Sequence, residues 1–257
     1  MKSHWSRALL GGLILPVIGC AGNGTAVGVN KTRESYVSGG SQIRVETFLP
    51  PGEGRHPAVL VLYGSGGSIN GKGEMVAISR QLAAEGMSVY LVHYFNRTGT
   101  LFANDARIGR WITTWRDTVE DAVDYVATHP RADSSRIGLY GYSLGAYLSV
   151  SQAALDSRIT AVAERAGGIM DAVRGREKRM PHLLILHGTH DQRVPVRNAR
   201  ELERMAQRFG KPAEIHLYIN EAHGLSREAQ VDANRRTVQF LKRHLMVKGS
   251  APIPVAR

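Results

Sequence analysis

Residues 137–147, Ile-Gly-Leu-Tyr-Gly-Tyr-Ser-Leu-Gly-Ala-Tyr, place a serine between two glycines at the end of an apolar run. The run that precedes Ser143 is typical of a buried strand, and the residues that follow it favour a helix. Glycines suit a sharp strand-to-helix turn, because a side chain would clash where the backbone segments approach. This stretch predicts either a nucleophilic Ser143 on a strained turn or a small residue in an ordinary tight turn.

Buried strands and amphipathic helices alternate along the rest of the chain. The segments 57–64, 87–95 and 182–188 are continuous apolar runs, and the segments 74–86 and 115–130 carry apolar residues at helical spacing. Continuous apolar strands separated by helices indicate a parallel sheet that is covered on both faces. We therefore predict an α/β fold over residues 34–247, with a mostly parallel sheet of about eight strands.

Two more reactive side chains are expected at the same edge of this sheet. Asp191 follows the apolar strand 182–188, and His223 lies in the loop after the last predicted strand. Loops at the carboxyl ends of the strands form the ligand crevice of such a sheet. The chain order serine, aspartate, histidine is that of the α/β-hydrolase triad, and it differs from the orders in chymotrypsin and subtilisin.

Each of these residues also has an ordinary structural interpretation. Asp191 could cap a turn or a helix, and His223 could be a surface loop residue. His187, His190 and Asp191 are close in sequence, but no distant cysteine or histidine cluster completes a metal site. We therefore predict no metal, and we expect His187 to pack or hydrogen-bond beneath the loop that carries Asp191.

The glycine-rich loop after the first buried strand, Tyr63 to Gly67, supplies a candidate second oxyanion donor. We predict that the backbone N–H groups of Ser65 and Leu144 form the oxyanion hole, with Gly66 as the alternative to Ser65. Residues 66–73 nearly match the phosphate-binding GxxxxGK[ST] pattern, but Gly73 stands where the hydroxyl should be. No cofactor is expected.

The long connection 96–115 should overhang the crevice, and it carries Trp111 among several arginines. We expect Trp111 and Tyr142 to contact substrate, although a buried tryptophan and exposed arginines are an open alternative. The connection 166–181 is short, so no large lid is expected. A site without a lid suits small or soluble esters better than triglycerides.

The N-terminus has the pattern of an export signal. Residues 1–19 combine Lys2 and Arg7 with an apolar stretch too short to span a membrane. Val17-Ile18-Gly19-Cys20 resembles a bacterial lipobox, and Cys20 is the single cysteine of the chain. We predict lipidation at Cys20, a tether over 20–33, a loose tail over 248–257, and a membrane-anchored lipoprotein of the cell envelope that faces the periplasm. An ordinary secretory signal is the alternative.

The formal net charge of +11 limits the classes of partner. The basic residues are spread through predicted helices beside acidic ones, and no basic block with interleaved aromatic residues occurs. This distribution is typical of a solvated surface, so we expect no nucleic-acid partner. An anionic envelope surface is the expected neighbour.

Three longer stretches carry a resemblance to a known family. Residues 117–149, the segment HGTHDQRVP at 187–195 and the segment EAHG at 221–224 together resemble the dienelactone hydrolase-like branch of the α/β-hydrolase superfamily. The resemblance covers about residues 35–246 and implies the α/β-hydrolase fold. It also implies that the family nucleophile is Ser143, the acid Asp191 and the base His223. Dienelactone hydrolases proper use a cysteine, so the serine favours a broader esterase.

These residues predict a serine hydrolase that cleaves carboxylic esters or lactones through an acyl-serine intermediate. Acyl transfer or peptide hydrolysis on the same triad is an alternative within the enzymes. A non-catalytic envelope-binding lipoprotein that retains the fold is an alternative from another class. A small-molecule ester or lactone is the expected partner.

Overall fold

The protein is described here by a computed structural model that covers residues 28–211 and 213–246. The predicted signal segment, Cys20, most of the tether and the predicted tail lie outside these residues. Within them, the strands are β1 (Asn30–Ser38), β2 (Ser41–Leu49), β3 (His56–Leu62), β4 (Ser88–Val92), β5 (Ala132–Tyr142), β6 (Ile159–Arg165), β7 (His182–Gly188) and β8 (Glu214–Tyr218). The helices are α1 (Gly67–Asn70), α2 (Lys72–Ala84), α3 (Asp105–Thr128), α4 (Leu144–Leu155), α5 (Arg197–Arg208) and α6 (Arg227–Leu245), with a 3₁₀ turn at Tyr94–Thr98.

The eight described strands form one sheet in the order β1-β2-β4-β3-β5-β6-β7-β8. The pairs β1–β2 and β2–β4 are antiparallel, and every pair from β4 onward through β8 is parallel. This arrangement confirms the predicted mostly parallel α/β sheet. The apolar runs of β3, β4 and β7 are buried because helices cover both faces of the sheet.

The central strand β5 shows how the two faces are covered. A Cβ at Gly138 would meet Leu245 of α6, whereas a Cβ at Gly141 would meet the backbone of α4. Successive side chains of a strand point to opposite faces, so α6 and α4 lie on opposite sides of the sheet. The strand order reverses beside β5, which is where a crevice forms at the carboxyl ends of the strands.

Two elements begin earlier than the sequence suggested. Strand β1 starts at Asn30, inside the segment assigned to the tether, and its residues 30–33 pair with residues 46–49 of β2. Helix α3 starts at Asp105, ten positions before the predicted start, because the side chain of Asn104 accepts a hydrogen bond from the Arg107 N–H (3.0 Å) and caps the helix. The connection 96–115 is therefore largely helical.

Candidate active site

The turn that follows β5 holds Ser143 in a strained conformation. Ser143 has φ 53° and ψ −119°, a left-handed φ that residues other than glycine rarely adopt. Its N–H donates to the carbonyl of Arg165 on β6 (2.9 Å), and its own carbonyl accepts from the Ala146 N–H in the first turn of α4 (2.9 Å). These bonds hold the serine at the tip of a strand-turn-helix elbow, as expected of a nucleophile in this fold.

The two glycines that flank the serine are required by close backbone contacts. A Cβ at Gly141 would lie 2.3 Å from the carbonyl oxygen of Gly145, and a Cβ at Gly145 would lie 2.3 Å from the carbonyl oxygen of Leu62. Both neighbours are backbone atoms of packed elements, so they cannot move aside cheaply. The glycines therefore allow α4 to approach β5 and β3 closely enough to form the elbow.

Replacing Gly145 with alanine should destabilise the fold by about 3 kcal/mol or more, because the new methyl group overlaps the backbone of β3. Urea unfolding followed by circular dichroism measures this change. Gly73→Ala is the matched control, since a Cβ there meets nothing within 4 Å and lies in α2. A Gly145→Ala protein as stable as Gly73→Ala would show that the elbow does not need a glycine.

The structure brings Ser143, Asp191 and His223 into one hydrogen-bonded chain. His223 Nε2 lies 3.0 Å from Ser143 Oγ, and His223 Nδ1 lies 2.8 Å from Asp191 Oδ2. Ser143 and Asp191 are buried, whereas the His223 side chain is 24% exposed. An imidazole protonated at Nδ1 donates to the carboxylate and accepts from the serine hydroxyl, which is the arrangement that a general base requires.

Asp191 has a second set of partners that fixes its loop. Its Oδ1 accepts from the N–H groups of Arg193 and Val194, both at 2.8 Å. The turn role that we considered for Asp191 therefore coexists with its contact to His223. Beneath it, the buried His187 donates from Nε2 to the Val194 carbonyl (2.8 Å), and burial lowers the pKa of His187. His187 thus packs and hydrogen-bonds under this loop, as expected.

The glycine-rich loop is rigidly tied to its surroundings. Ala103 N–H donates to the Ser65 carbonyl (2.8 Å), and Gly67 N–H donates to the Gly64 carbonyl (3.0 Å). Gly67 has φ 61°, and a Cβ there would lie 2.1 Å from the Leu101 carbonyl oxygen. Within residues 28–211 and 213–246, the N–H groups of Ser65 and Leu144 have no protein acceptor. Both therefore remain available to bind an oxygen atom.

A cleft of about 630 Å³ opens beside Ser143, and both Ser65 and Leu144 line it. Its charged lining residues are largely paired, since Arg193 binds Asp105 and Arg174 binds Asp171. The apolar lining residues are Ile108, Gly109, Ile112, Leu144, Ile169, Met170, Ala172 and Val194. Ser65, Ser143, Tyr147 and Asn198 add uncharged polar groups to the lining, so the cleft offers both apolar and polar surface next to the reactive serine.

Neither of the two aromatic residues expected to contact substrate lines this cleft. Trp111 is half-buried on α3, where the Arg110 guanidinium lies over its ring, and Ile108 and Ile112 face the cleft instead. Tyr142 points the other way along β5, toward His223 and Arg165. The short connection after β6, in which we expected no large lid, supplies Ile169 and Met170 to the cleft.

One protein-family model matches most of the described domain. The model of the dienelactone hydrolase family matches residues 43–245, which include the elbow, the Asp191 loop and His223. The chain belongs to the dienelactone hydrolase family. This confirms the resemblance seen in the sequence.

Two acyl-coenzyme A thioesterases are similar in sequence to part of this chain. Acyl-coenzyme A thioesterase 5 of Mus musculus is 29% identical over 158 residues, which are 60% of this chain and 34% of the mouse protein. Acyl-coenzyme A thioesterase 6 of Mus musculus is 35% identical over 124 residues, 47% of this chain and 26% of that protein. The chain thus spans about a third or less of the length of these curated relatives.

Solved structures show the same fold at low sequence identity. A dienelactone hydrolase-like promiscuous phosphotriesterase from metagenomic libraries has a TM-score of 0.72 at 16% identity and covers 84% of this chain and 99% of its own. Dienelactone hydrolase from Anabaena variabilis has a TM-score of 0.66 at 17% identity, with the same coverage. These likenesses confirm the α/β-hydrolase fold.

Glu164 is a buried residue near the site that sequence reasoning missed. It precedes Arg165 on β6, is fully buried, and accepts from the Gly167 N–H through Oε2 (2.8 Å), while its Oε1 has no partner among the described residues. Burial raises the pKa of its carboxyl from 4.5 to about 8, against the opposing effect of the Gly167 hydrogen bond. A charged residue within an apolar strand was the available signal.

Glu164→Gln should therefore change how stability depends on pH. The folded-state pKa of Glu164 is raised, so the contribution of this carboxyl to the free energy of unfolding is fully present below pH 4.5. That contribution is lost as pH rises toward about 8. The free energy of unfolding of the wild type should fall relative to Glu164→Gln over this range. Urea unfolding at pH 5, 6.5 and 8 tests this, with the exposed Glu228→Gln as control. Parallel curves for wild type and Glu164→Gln would contradict it.

Within residues 28–211 and 213–246, no group of three or more histidine, cysteine, aspartate or glutamate side chains is arranged to hold a metal ion. No helix in the same residues is long and apolar enough to cross a membrane.

Proposed function

We propose that this protein hydrolyses carboxylic esters or lactones through an acyl-serine intermediate. Ser143 is the nucleophile, His223 the general base and Asp191 the residue that orients the base. The observation that carries this proposal is the continuous hydrogen-bonded chain from Ser143 Oγ through the His223 ring to the Asp191 carboxylate, with distances of 3.0 and 2.8 Å.

The proposed first step acylates the serine. Ser143 Oγ attacks the ester carbonyl carbon while His223 Nε2 takes the hydroxyl proton, and the carbonyl oxygen becomes an oxyanion. Collapse of this intermediate expels the alcohol, which receives the proton from His223. His223 then takes a proton from water as the water oxygen attacks the acyl-serine, and collapse of the second tetrahedral intermediate releases the acid while His223 returns the proton to Ser143 Oγ. The ionised Asp191 stabilises the imidazolium at each stage.

The oxyanion would be held by the N–H groups of Leu144 and Ser65. Leu144 is the first residue of α4, so its N–H lies at the positive end of the helix dipole. The hydrogen bonds of the Ser65 loop hold the second donor in place before substrate arrives. Donors fixed in advance stabilise developing charge without reorganisation.

The cleft supports a small, uncharged acyl group. Its charged residues are compensated by the Asp105–Arg193 and Asp171–Arg174 pairs, so neither sign of charge is favoured. Its volume of about 630 Å³ lies within the range of small-molecule sites. These features support short- and medium-chain esters as substrates.

Thioesters are a second candidate substrate class. The observation that favours them is the similarity over 124–158 residues to acyl-coenzyme A thioesterases. The chemistry needs the same nucleophile, base and oxyanion donors, with a thiolate instead of an alkoxide as the leaving group.

A substrate panel separates these reactions. Aryl esters of acetate, butyrate, octanoate and palmitate, a simple lactone, the matching acyl-coenzyme A compounds and a peptide substrate would be compared by kcat/KM. We expect the highest values for the acetyl to octanoyl esters. Product analysis with added alcohol acceptors distinguishes hydrolysis from acyl transfer. No turnover of any ester, lactone or thioester would refute the proposal; turnover of the peptide alone would then favour a peptidase, and no turnover of any compound would favour a binding protein.

We also propose that the protein is exported and anchored to the cell envelope through Cys20. The support is the lipobox-like sequence Val17 to Cys20 with the only cysteine of the chain. Expression with radiolabelled palmitate should label the wild type and leave Cys20→Ser unlabelled. Equal labelling of both proteins, or none of the wild type in a strain that processes lipoproteins, would refute the anchor.

A further inference from the structure

Arg165 is a buried cation that the proposed chemistry does not use. It ends β6, is 2% exposed, and is the register partner of Tyr142 at the end of β5. Register partners on parallel strands project from the same face, and the Arg165 guanidinium carbon lies 4.1 Å from the centroid of the Tyr142 ring. This distance is that of a close cation–π contact.

Tyr142 in turn contacts the proposed base in two ways. Its ring centroid lies 5.3 Å from that of His223, with 33° between the ring planes. Its hydroxyl donates to the His223 carbonyl (3.3 Å). One side chain therefore restrains both the imidazole ring and the backbone of the loop that carries it.

The guanidinium is itself fixed by two helices. Glu74 of α2 lies 2.6 Å from Arg165 Nη1, and the Gln230 side chain of α6 accepts from the same nitrogen. The backbone carbonyl of Arg165 accepts the Ser143 N–H (2.9 Å). Arg165 thus contacts the nucleophile through its backbone and approaches the base through Tyr142.

We propose that Arg165 and Tyr142 are positioning residues that hold the His223 imidazole at hydrogen-bonding distance from Ser143. This inference rests on the proposed function. Because the His223 side chain is 24% exposed, part of its ring lacks protein packing, and the Tyr142 ring restrains another part. Misplacement of a reacting group by about 1 Å can cost about 10²-fold in rate, so such a restraint has a measurable effect.

The position of Tyr142 and Arg165 separates this role from substrate binding. Neither residue lines the cleft beside Ser143. Loss of the contacts that join Arg165, Tyr142 and His223 should therefore lower kcat and leave KM for an aryl ester unchanged. A substrate-contacting residue would instead raise KM.

The test compares Tyr142→Leu, Tyr142→Phe, Arg165→Met and Arg165→Lys, with kcat expressed per active site titrated by a fluorophosphonate. Tyr142→Leu should lower kcat by about 10- to 100-fold with KM within about twofold, because the ring is lost. Tyr142→Phe keeps the ring and should retain kcat within about threefold, since it loses only one long hydrogen bond. Arg165→Lys should recover part of the kcat that Arg165→Met loses. Tyr125→Leu removes a half-buried tyrosine of α3 and should leave kcat unchanged.

Three results would overturn the inference. The first is a Tyr142→Leu protein with wild-type kcat per titrated site, and the second is one with raised KM and unchanged kcat. The third, if Tyr142→Leu does not fold, is an Arg165→Met protein whose kcat equals that of the wild type. Because the wild type must first be labelled at Ser143, absence of that label would count against the proposed function and not against the positioning role of Arg165 and Tyr142.

Discussion

Ser143→Ala should lower kcat for aryl ester hydrolysis by about 10⁴-fold or more, because alanine cannot form the acyl intermediate. The oxyanion donors and the cleft remain, so KM should change little. Alanine keeps the Cβ that serine already places at the φ of 53°, so the substitution adds no strain and the fold should persist. Steady-state kinetics on a butyrate ester, with protein purified separately from any wild type, measures the effect.

Ser149→Ala is the matched control for this prediction. Ser149 is a fully buried serine on α4, the helix that follows Ser143, and its hydroxyl donates to the Gly145 carbonyl (2.8 Å) without contacting His223. Its replacement should leave kcat within a few-fold of the wild type. Equal activity of Ser143→Ala and Ser149→Ala would remove Ser143 from the reaction.

Asp191→Asn should lower kcat by about 10³- to 10⁴-fold while the fold persists. The amide has nearly the shape of the carboxylate and can still accept from the N–H groups of Arg193 and Val194 through Oδ1. Its NH₂ group, however, would face His223 Nδ1 and favour the tautomer with Nε2 protonated. That tautomer cannot accept the Ser143 proton.

The control for Asp191→Asn is Asp133→Asn at the start of β5. Asp133 binds Ser135 and Arg136 far from the cleft, so its loss should not change kcat. A comparison of kcat with the urea midpoint for both variants separates chemistry from stability. If Asp191→Asn retained the wild-type kcat, Asp191 would be a turn residue only.

The sheet and the proximity of the three reactive residues could be predicted because each follows from local sequence and a topological rule. The apolar runs of β3, β5 and β7 identify buried parallel strands, and the loops after such strands converge at one edge. Ser143 and Asp191 follow β5 and β7, and His223 follows the parallel strand β8 at the same edge. Their spacing of 2.8 and 3.0 Å required the structure.

The first residues of the domain and of α3 could not be predicted as reliably as the sheet and the three reactive residues. Residues 30–33 are mostly polar because β1 is an edge strand with exposed side chains, so no alternation marks them. Asn104 is a sufficient helix cap, but the apolar pattern after it is interrupted by Arg107 and Arg110 on the exposed face. Local signals of this kind are weak until a helix has a partner to pack against.

The composition of the cleft depended on side-chain directions that sequence does not give. Tyr142 precedes the nucleophile, yet strand alternation turns it toward Arg165 and His223 and away from the cleft. Ile169 and Met170 reach the cleft from a connection without regular structure. Burial of Glu164 likewise becomes visible only when α4 is packed against β6.

The most direct test of the central claim is the site at which a fluorophosphonate reacts. The wild type should gain one probe per chain by intact mass, the modified peptide should contain Ser143, and loss of ester hydrolysis should follow the extent of labelling. Ser143→Ala should gain none. Full hydrolysis in a protein unlabelled at Ser143, or equal labelling at another residue, would contradict the assignment of Ser143 as the nucleophile.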